Sequence, residues 1–122
     1  MNRPKFRAWD TFDKEMLDVH GINYDADGVW TKEMIDDESD GEFIHFSDIE
    51  LLQSTGLFDK NGKEIFEGDI LKYRDEYRVV EMYDGAWIAR AGEKRLIVKM
   101  AVLSGAKIIG NIFEHPHLLG ED

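Results

Sequence analysis

The strongest constraint on this chain is a series of short β-branched and aromatic runs separated by glycine turns. Ile70-Leu71-Lys72-Tyr73, Tyr77-Arg78-Val79-Val80-Glu81-Met82-Tyr83, Ala86-Trp87-Ile88-Ala89-Arg90, Arg95-Leu96-Ile97-Val98 and Lys107-Ile108-Ile109-Gly110-Asn111-Ile112 are each too short for a stable helix and suit a pleated surface. Glu67-Gly68-Asp69, Asp84-Gly85 and Ala91-Gly92 sit where the chain must reverse. Short strands about ten residues apart, joined by such turns, build a small antiparallel sheet or barrel. The five strands between Asp69 and Ile112 match the count of an SH3-like barrel. Just before them, Asn61-Gly62 lies between Asp59-Lys60 and Lys63-Glu64-Ile65. That pair predicts a hairpin, because a type I′ turn needs positive φ at both central positions.

Ahead of this block the pattern is looser. Lys5-Phe6-Arg7-Ala8-Trp9-Asp10 reads as a strand with Phe6 and Ala8 on one face and Arg7 and Trp9 on the other. A polar turn over 10–14 leads to a return strand, Met16-Leu17-Asp18-Val19. Asp25-Ala26-Asp27-Gly28 is a second turn, followed by Val29-Trp30-Thr31 as a short strand. Residues 33–50 carry eight acidic side chains and no Lys or Arg, and the densest part, 36–41, reads as a solvated loop or linker. Glu42-Phe43-Ile44-His45-Phe46 returns to strand, and Ser47-Asp48 breaks it. Ile49-Glu50-Leu51-Leu52-Gln53 suits either a strand or one helical turn, and 100–103 suits a turn of helix. The expected fold is mostly β: a small antiparallel sheet subdomain followed by an SH3-like barrel. It forms one domain over 1–122, with a subdivision into 1–46 and 47–122.

At 122 residues and 43% hydrophobic composition, a core is feasible without covalent staples. There is no cysteine, which excludes disulfides, thiolate metal sites and cysteine nucleophiles. After Met1, Asn-Arg-Pro-Lys runs into mixed polar residues with no apolar signal segment. No run approaches the roughly 20 apolar residues that span a bilayer. The expected location is therefore the cytoplasm. The net charge of -11 disfavours ordinary nucleic-acid binding. It is unevenly placed: residues 1–69 carry -11, residues 70–110 carry +3 and residues 111–122 carry -3.

Three segments together resemble the YopX family of phage and prophage proteins. They are Lys5-Phe6-Arg7-Ala8-Trp9-Asp10, the long stretch from Ile49 through Leu71 that includes Thr55-Gly56-Leu57-Phe58-Asp59-Lys60-Asn61-Gly62-Lys63-Glu64-Ile65-Phe66-Glu67-Gly68-Asp69-Ile70, and Ile109-Gly110-Asn111-Ile112-Phe113-Glu114 with Pro116 and Leu118. Their spacing spans nearly the whole chain. Ser54 departs from the aromatic residue such proteins often carry there, and His115 stands where Asn is expected. The resemblance implies a mostly β protein with an SH3-like barrel toward its C-terminal side, a phage or prophage gene and a tendency to self-associate. It implies no catalytic residues.

The central block is read as turn chemistry rather than a site: Gly56, Gly62 and Gly68 punctuate turns that Leu57, Ile65, Phe66 and Ile70 anchor to a core. A calcium loop starting at Asp59 fails, because its glycine falls at the fourth position and not the sixth. His115 and His117 flank a proline without the fixed geometry of a helical pair, and further ligands would have to come from His20, His45 or remote carboxylates. None of Ser39, Ser47, Ser54 and Ser104 lies in a nucleophile elbow, and there is no phosphate loop. No catalytic residue, metal or cofactor is expected. The remaining feature is aromatic and basic: Tyr73, Tyr77, Arg78, Tyr83, Trp87 and Arg90 form a candidate binding face on the barrel, with Lys72, Arg74, Lys94 and Arg95 around them. The alternative is that Trp87 and some of the tyrosines fill the core.

The expected function is thus a non-enzymatic protein-interaction or oligomerising module, with self-association and a host or phage protein as partners and no membrane contact. The alternatives are a nucleic-acid-binding small barrel and an acidic mimic of DNA that occupies a host protein.

Overall fold

The computed structural model describes residues 5–31, 43–91, 96–99 and 105–119. Regular structure among them is β-strand apart from two 3-10 turns, Phe46–Asp48 and Pro116–Leu119. The acidic stretch 36–41 and the helical turn expected at 100–103 lie outside the described residues. The chain divides into two compact units, Met1–Gln53 and Ser54–Asp122. The sequence reading placed its subdivision at 46/47; the structural division falls inside strand β6 (Ile49–Phe58).

In the first unit, β1 (Phe6–Asp10) pairs antiparallel with β2 (Glu15–Asp18) and with residues 49–53 of β6. Ile49-Glu50-Leu51-Leu52-Gln53 is therefore strand and not a helical turn, because β1 supplies its backbone partners. β3 (Gly21–Asn23), β4 (Gly28–Trp30) and β5 (Phe43–His45) form a three-stranded sheet in that order. Ala8, Val29 and Ile49 form the core, with Val19, Ile22, Ile44, Phe46 and Leu51 packed on it. Gly28 is required by close approach: a Cβ there would lie 2.5 Å from the Ile44 carbonyl oxygen and 2.5 Å from Phe43 Cζ.

The second unit adds β7 (Glu64–Phe66), β8 (Asp69–Tyr73), β9 (Glu76–Tyr83), β10 (Ala86–Ala91), β11 (Leu96–Lys99) and β12 (Lys107–Asn111). The five-stranded sheet runs β11-β10-β9-β8-β12, all pairs antiparallel. Four strands meander and the fifth returns beside the first, the strand order of an SH3-like small barrel. Ile65, Leu71, Val80, Ala89 and Ala106 form its core, and Tyr73, Trp87 and Ile108 pack against them.

The turns divide differently from the sequence expectation. Asp84 and Gly85 have φ of 52° and 80° and join the paired residues Tyr83 and Ala86, so the two-residue turn with positive φ at both positions is there. At Asn61-Gly62 only Gly62 has positive φ, at 81°. The Asp59 N–H donates to the Lys63 carbonyl at 2.8 Å and the Gly62 N–H to the Asp59 carbonyl at 2.9 Å, which leaves a three-residue loop and not a type I′ turn. The cause is Asp59 itself. Its Oδ1 accepts the N–H groups of Asn61 and Lys63, both at 2.9 Å, and holds the chain in a capped turn that needs the left-handed region only at Gly62.

Candidate interaction surface

Strand register decides which side chains of the second unit share a face. Leu71 pairs with Arg78, Val80 with Ala89, and Met82 with Trp87, and Tyr73 lies two residues beyond Leu71. Because alternate residues share a face, these line the side that holds the Leu71-Val80-Ala89 core. Lys72 pairs with Tyr77, Ile70 and Arg90 with Val79, Ile88 with Glu81, and Ala86 with Tyr83. These lie on the opposite, outer side.

The six candidate residues therefore split three and three. Tyr73, Arg78 and Trp87 are on the core side, and Tyr77, Tyr83 and Arg90 are on the outer side. Tyr73 and Trp87 pack against the core. Arg78 is buried: its Nη1 donates to the Ala89 carbonyl at 3.1 Å and its Nη2 meets Glu76 Oε2 at 3.2 Å. It braces β9 against β10 and pairs its charge inside the unit. On the outer side Tyr77 is 39% and Tyr83 51% exposed, with half-buried Val79 between them. Arg90, on the same side, forms an ion pair with Glu81. The Lys72 ammonium lies 6.0 Å from the Tyr77 ring centroid. Lys72, Asp75, Tyr77, Leu118 and Leu119 line an open cleft of about 340 Å³ beside this face.

The outer side is thus a tyrosine-bearing surface on which Arg90 is paired to Glu81 and Lys72 and Lys107 stand exposed on neighbouring strands. Ile70 and Ile88 lie on this same side and are buried, so the side is covered there and its exposed part is around Tyr77 and Tyr83. Sequence reasoning found the aromatics but not their faces. The two-residue turns, which fix the register, carried that signal.

Buried polar groups elsewhere are held in turns. Asp69, 1% exposed, accepts the Phe66 N–H at 2.8 Å, and Asn111 Oδ1 accepts the N–H groups of Phe113 and Glu114. Ser54 Oγ donates to Glu64 Oε2 and accepts the Gly56 N–H, in a strand irregularity between β6 and β7. Burial pushes the Asp59 carboxyl up, but backbone donors from Ile108, Lys63 and Asn61, with the Lys63 charge, outweigh this and hold it below the ordinary carboxylate value. His115 Nδ1 accepts the Asn111 N–H at 3.2 Å, which engages that ring nitrogen's lone pair. Carboxylate oxygens of Asp10, Asp13 and Glu15 lie within 4.8 Å of one another, but Asp10 Oδ1 already receives the N–H groups of Phe12 and Asp13.

A family model for the YopX protein matches residues 5–120, nearly the whole chain. The chain belongs to the YopX family. Among solved structures it is similar to the crystal structure of protein EF1440 from Enterococcus faecalis, with 35% sequence identity, a TM-score of 0.72 and coverage of 98% of this chain and 99% of that one. No curated protein matches it. The two ends of the match to the YopX model take in β1 of the first unit and the turn after β12 in the second, so the family pattern includes both units. No helix among the described residues is long and apolar enough to cross a membrane.

Proposed function

We propose that this member of the YopX family is a non-enzymatic interaction module of phage or prophage origin. It acts in the host cytoplasm and self-associates through the outer face of β9. One observation carries the reading. Tyr77 and Tyr83 stand exposed on the same side of the five-stranded sheet, with Val79 between them and Arg90 already paired to Glu81. Protein interfaces favour tyrosine and compensated arginine at their centre, and tyrosine brings a large contact area at small entropic cost. The same pairing disfavours nucleic acid as the partner. Of the two candidate arginines, Arg78 is buried and Arg90 is paired to Glu81, which leaves Lys72 and Lys107, among the described residues, as the exposed cations of this side, fewer than a phosphate-tracking groove uses.

A photo-crosslinking residue placed at Tyr83 tests this in the full chain. The expected result is a covalent species of twice the chain mass, lost when Tyr77 is also changed to Ser. A chain that gives no such species at high micromolar concentration overturns the self-association reading.

A second reading is favoured by charge. The first unit, residues 1–53, carries fourteen acidic and five basic side chains, as an acidic mimic that occupies a basic host protein would. Retention of nucleic-acid-binding host proteins on the immobilised chain, released by rising salt, is its test; no such retention removes it.

A further inference from the structure

Phe12 is 87% exposed, the largest value among the exposed large hydrophobic side chains of the described residues. It does not sit on a loose end. Its N–H donates to Asp10 Oδ1 at 2.9 Å, the Asp13 N–H donates to the same oxygen at 3.0 Å, and the Lys14 N–H donates to the Asp10 carbonyl at 2.8 Å. Thr11 fastens the other side of the turn, donating its N–H at 3.1 Å and its hydroxyl at 3.0 Å to the Asp48 carbonyl. A pinned turn that holds a phenyl ring in water gains nothing for the fold, since burial of such a ring is worth roughly 1.5–3 kcal/mol. The ring forms one wall of a cleft of about 360 Å³. Phe43 and Ile44 supply the other apolar surface, and Asp10, Asp13, Asp48 and His45 supply the polar rim. No Lys or Arg is among these lining residues.

We propose that this cleft binds the guanidinium group of an arginine in a basic segment of a partner protein. The chemistry selects that group over other cations. A guanidinium is planar and weakly hydrated, so its face stacks on an aromatic ring while its edge donates to carboxylates. The cleft offers both at once: the open Phe12 ring as the stacking surface, beside a Phe43 ring already packed against Trp30 and His45, and Asp13 and Asp48 as exposed acceptors at the rim. A lysine ammonium is a strongly hydrated point charge and uses the rings less well. The surplus of acidic side chains in residues 1–53 draws a basic segment toward the site. The proposal rests on the second reading above, a basic protein as partner of the acidic unit, and is independent of self-association through β9.

The test uses the full chain and fluorescein-labelled tetra-arginine and tetra-lysine peptides, followed by anisotropy at about 0.1 M salt. Tetra-arginine is expected to bind at least about fivefold more tightly than tetra-lysine. Phe12→Ala leaves the charge unchanged, removes a side chain that is almost fully in solvent, and is expected to abolish that preference. Asp13→Asn with Asp48→Asn is expected to weaken tetra-arginine binding about tenfold or more. A control pair outside the cleft, Asp25→Asn with Glu50→Gln, removes the same charge and is expected to weaken both peptides by less than about threefold. Equal affinity for the two peptides, or a preference that survives Phe12→Ala, overturns the arginine site. If the control pair then weakens binding as much as the cleft pair does, the acidic unit binds cations without this cleft and the basic-partner reading stands alone. If neither peptide binds, both fail.

Discussion

Asp59 and Ile108, 49 residues apart in sequence, are joined by a hydrogen bond in which the Ile108 N–H donates to Asp59 Oδ2 at 3.0 Å. The other oxygen of the same carboxylate closes the Asp59–Lys63 turn. The Lys60 N–H reinforces the link by donating to the Ala106 carbonyl at 3.0 Å. One side chain therefore shapes a turn of the family's most recognisable segment and fastens it to β12, an outer strand of the five-stranded sheet. An outer strand exposes unpaired N–H groups to other chains, and Asp59 occupies one of them. Asp59→Ala is expected to lower stability by about 1–3 kcal/mol, because three hydrogen bonds to a charged group are lost and the half-buried Ile108 N–H loses its acceptor. Urea unfolding measures it; a loss below about 0.5 kcal/mol contradicts this role.

The same carboxylate gives a pH dependence of definite sign. Its folded-state value is lowered, so the unfolded chain takes up the proton first as the pH falls. Its contribution is complete above the ordinary aspartate value of about 3.9 and is lost as the pH drops through the lower, folded value. Asp59→Asn is expected to be less stable than the parent at neutral pH, with the difference shrinking below about pH 4. Stability measured at several pH values between about 2.5 and 7 checks this; a constant difference contradicts it.

Arg78 and Arg90 are two arginines on neighbouring strands with opposite expected outcomes. Arg78→Met removes a buried donor to the Ala89 carbonyl and is expected to cost about 1–3 kcal/mol. The Arg90 and Glu81 side chains are 40% and 33% exposed, and Arg90→Met is expected to change stability by less than about 1 kcal/mol. Thermal or urea unfolding of the two variants side by side tests the assignment of faces, and the reverse order refutes it.

Gly28→Ala places a methyl group 2.5 Å from the Ile44 carbonyl oxygen, a backbone atom that cannot turn aside. The expected cost is about 1–3 kcal/mol, confined to the first unit. Tryptophan fluorescence in a Trp87→Phe background, where the remaining Trp9 and Trp30 both lie in the first unit, reports it; an unchanged transition contradicts the close β4–β5 approach.

Much of the second unit was legible because its strands are short, β-branched and bounded by glycine. Sequence bounds for β8, β9 and β10 fall within a residue of those observed, and the curled antiparallel meander follows from them. The first unit was less so. β3 is only Gly21-Ile22-Asn23 and has no pattern long enough to read. Residues 49–53 carry alternation too weak to separate strand from helix, and β1 decides the matter through long-range pairing. The hairpin expected at Asn61-Gly62 forms, with β6 and β7 pairing antiparallel at Phe58 and Glu64, but its turn type differs because a side chain two residues upstream, Asp59, selects the loop. In the candidate face, residue types were visible, but the side on which each points follows from the Tyr73–Glu76 and Tyr83–Ala86 registers, which neighbouring tyrosines alone do not specify.

The central claim is that exposed tyrosines on the outer side of β9 join one copy of this chain to another. Size-exclusion chromatography with light scattering at high micromolar concentration tests it most directly. The account predicts a multiple of 14.1 kDa for the parent chain, and 14.1 kDa with unchanged circular dichroism for Tyr77→Ser with Tyr83→Ser. A parent chain that runs as a 14.1 kDa monomer, or a double variant that keeps the parent's mass, contradicts it.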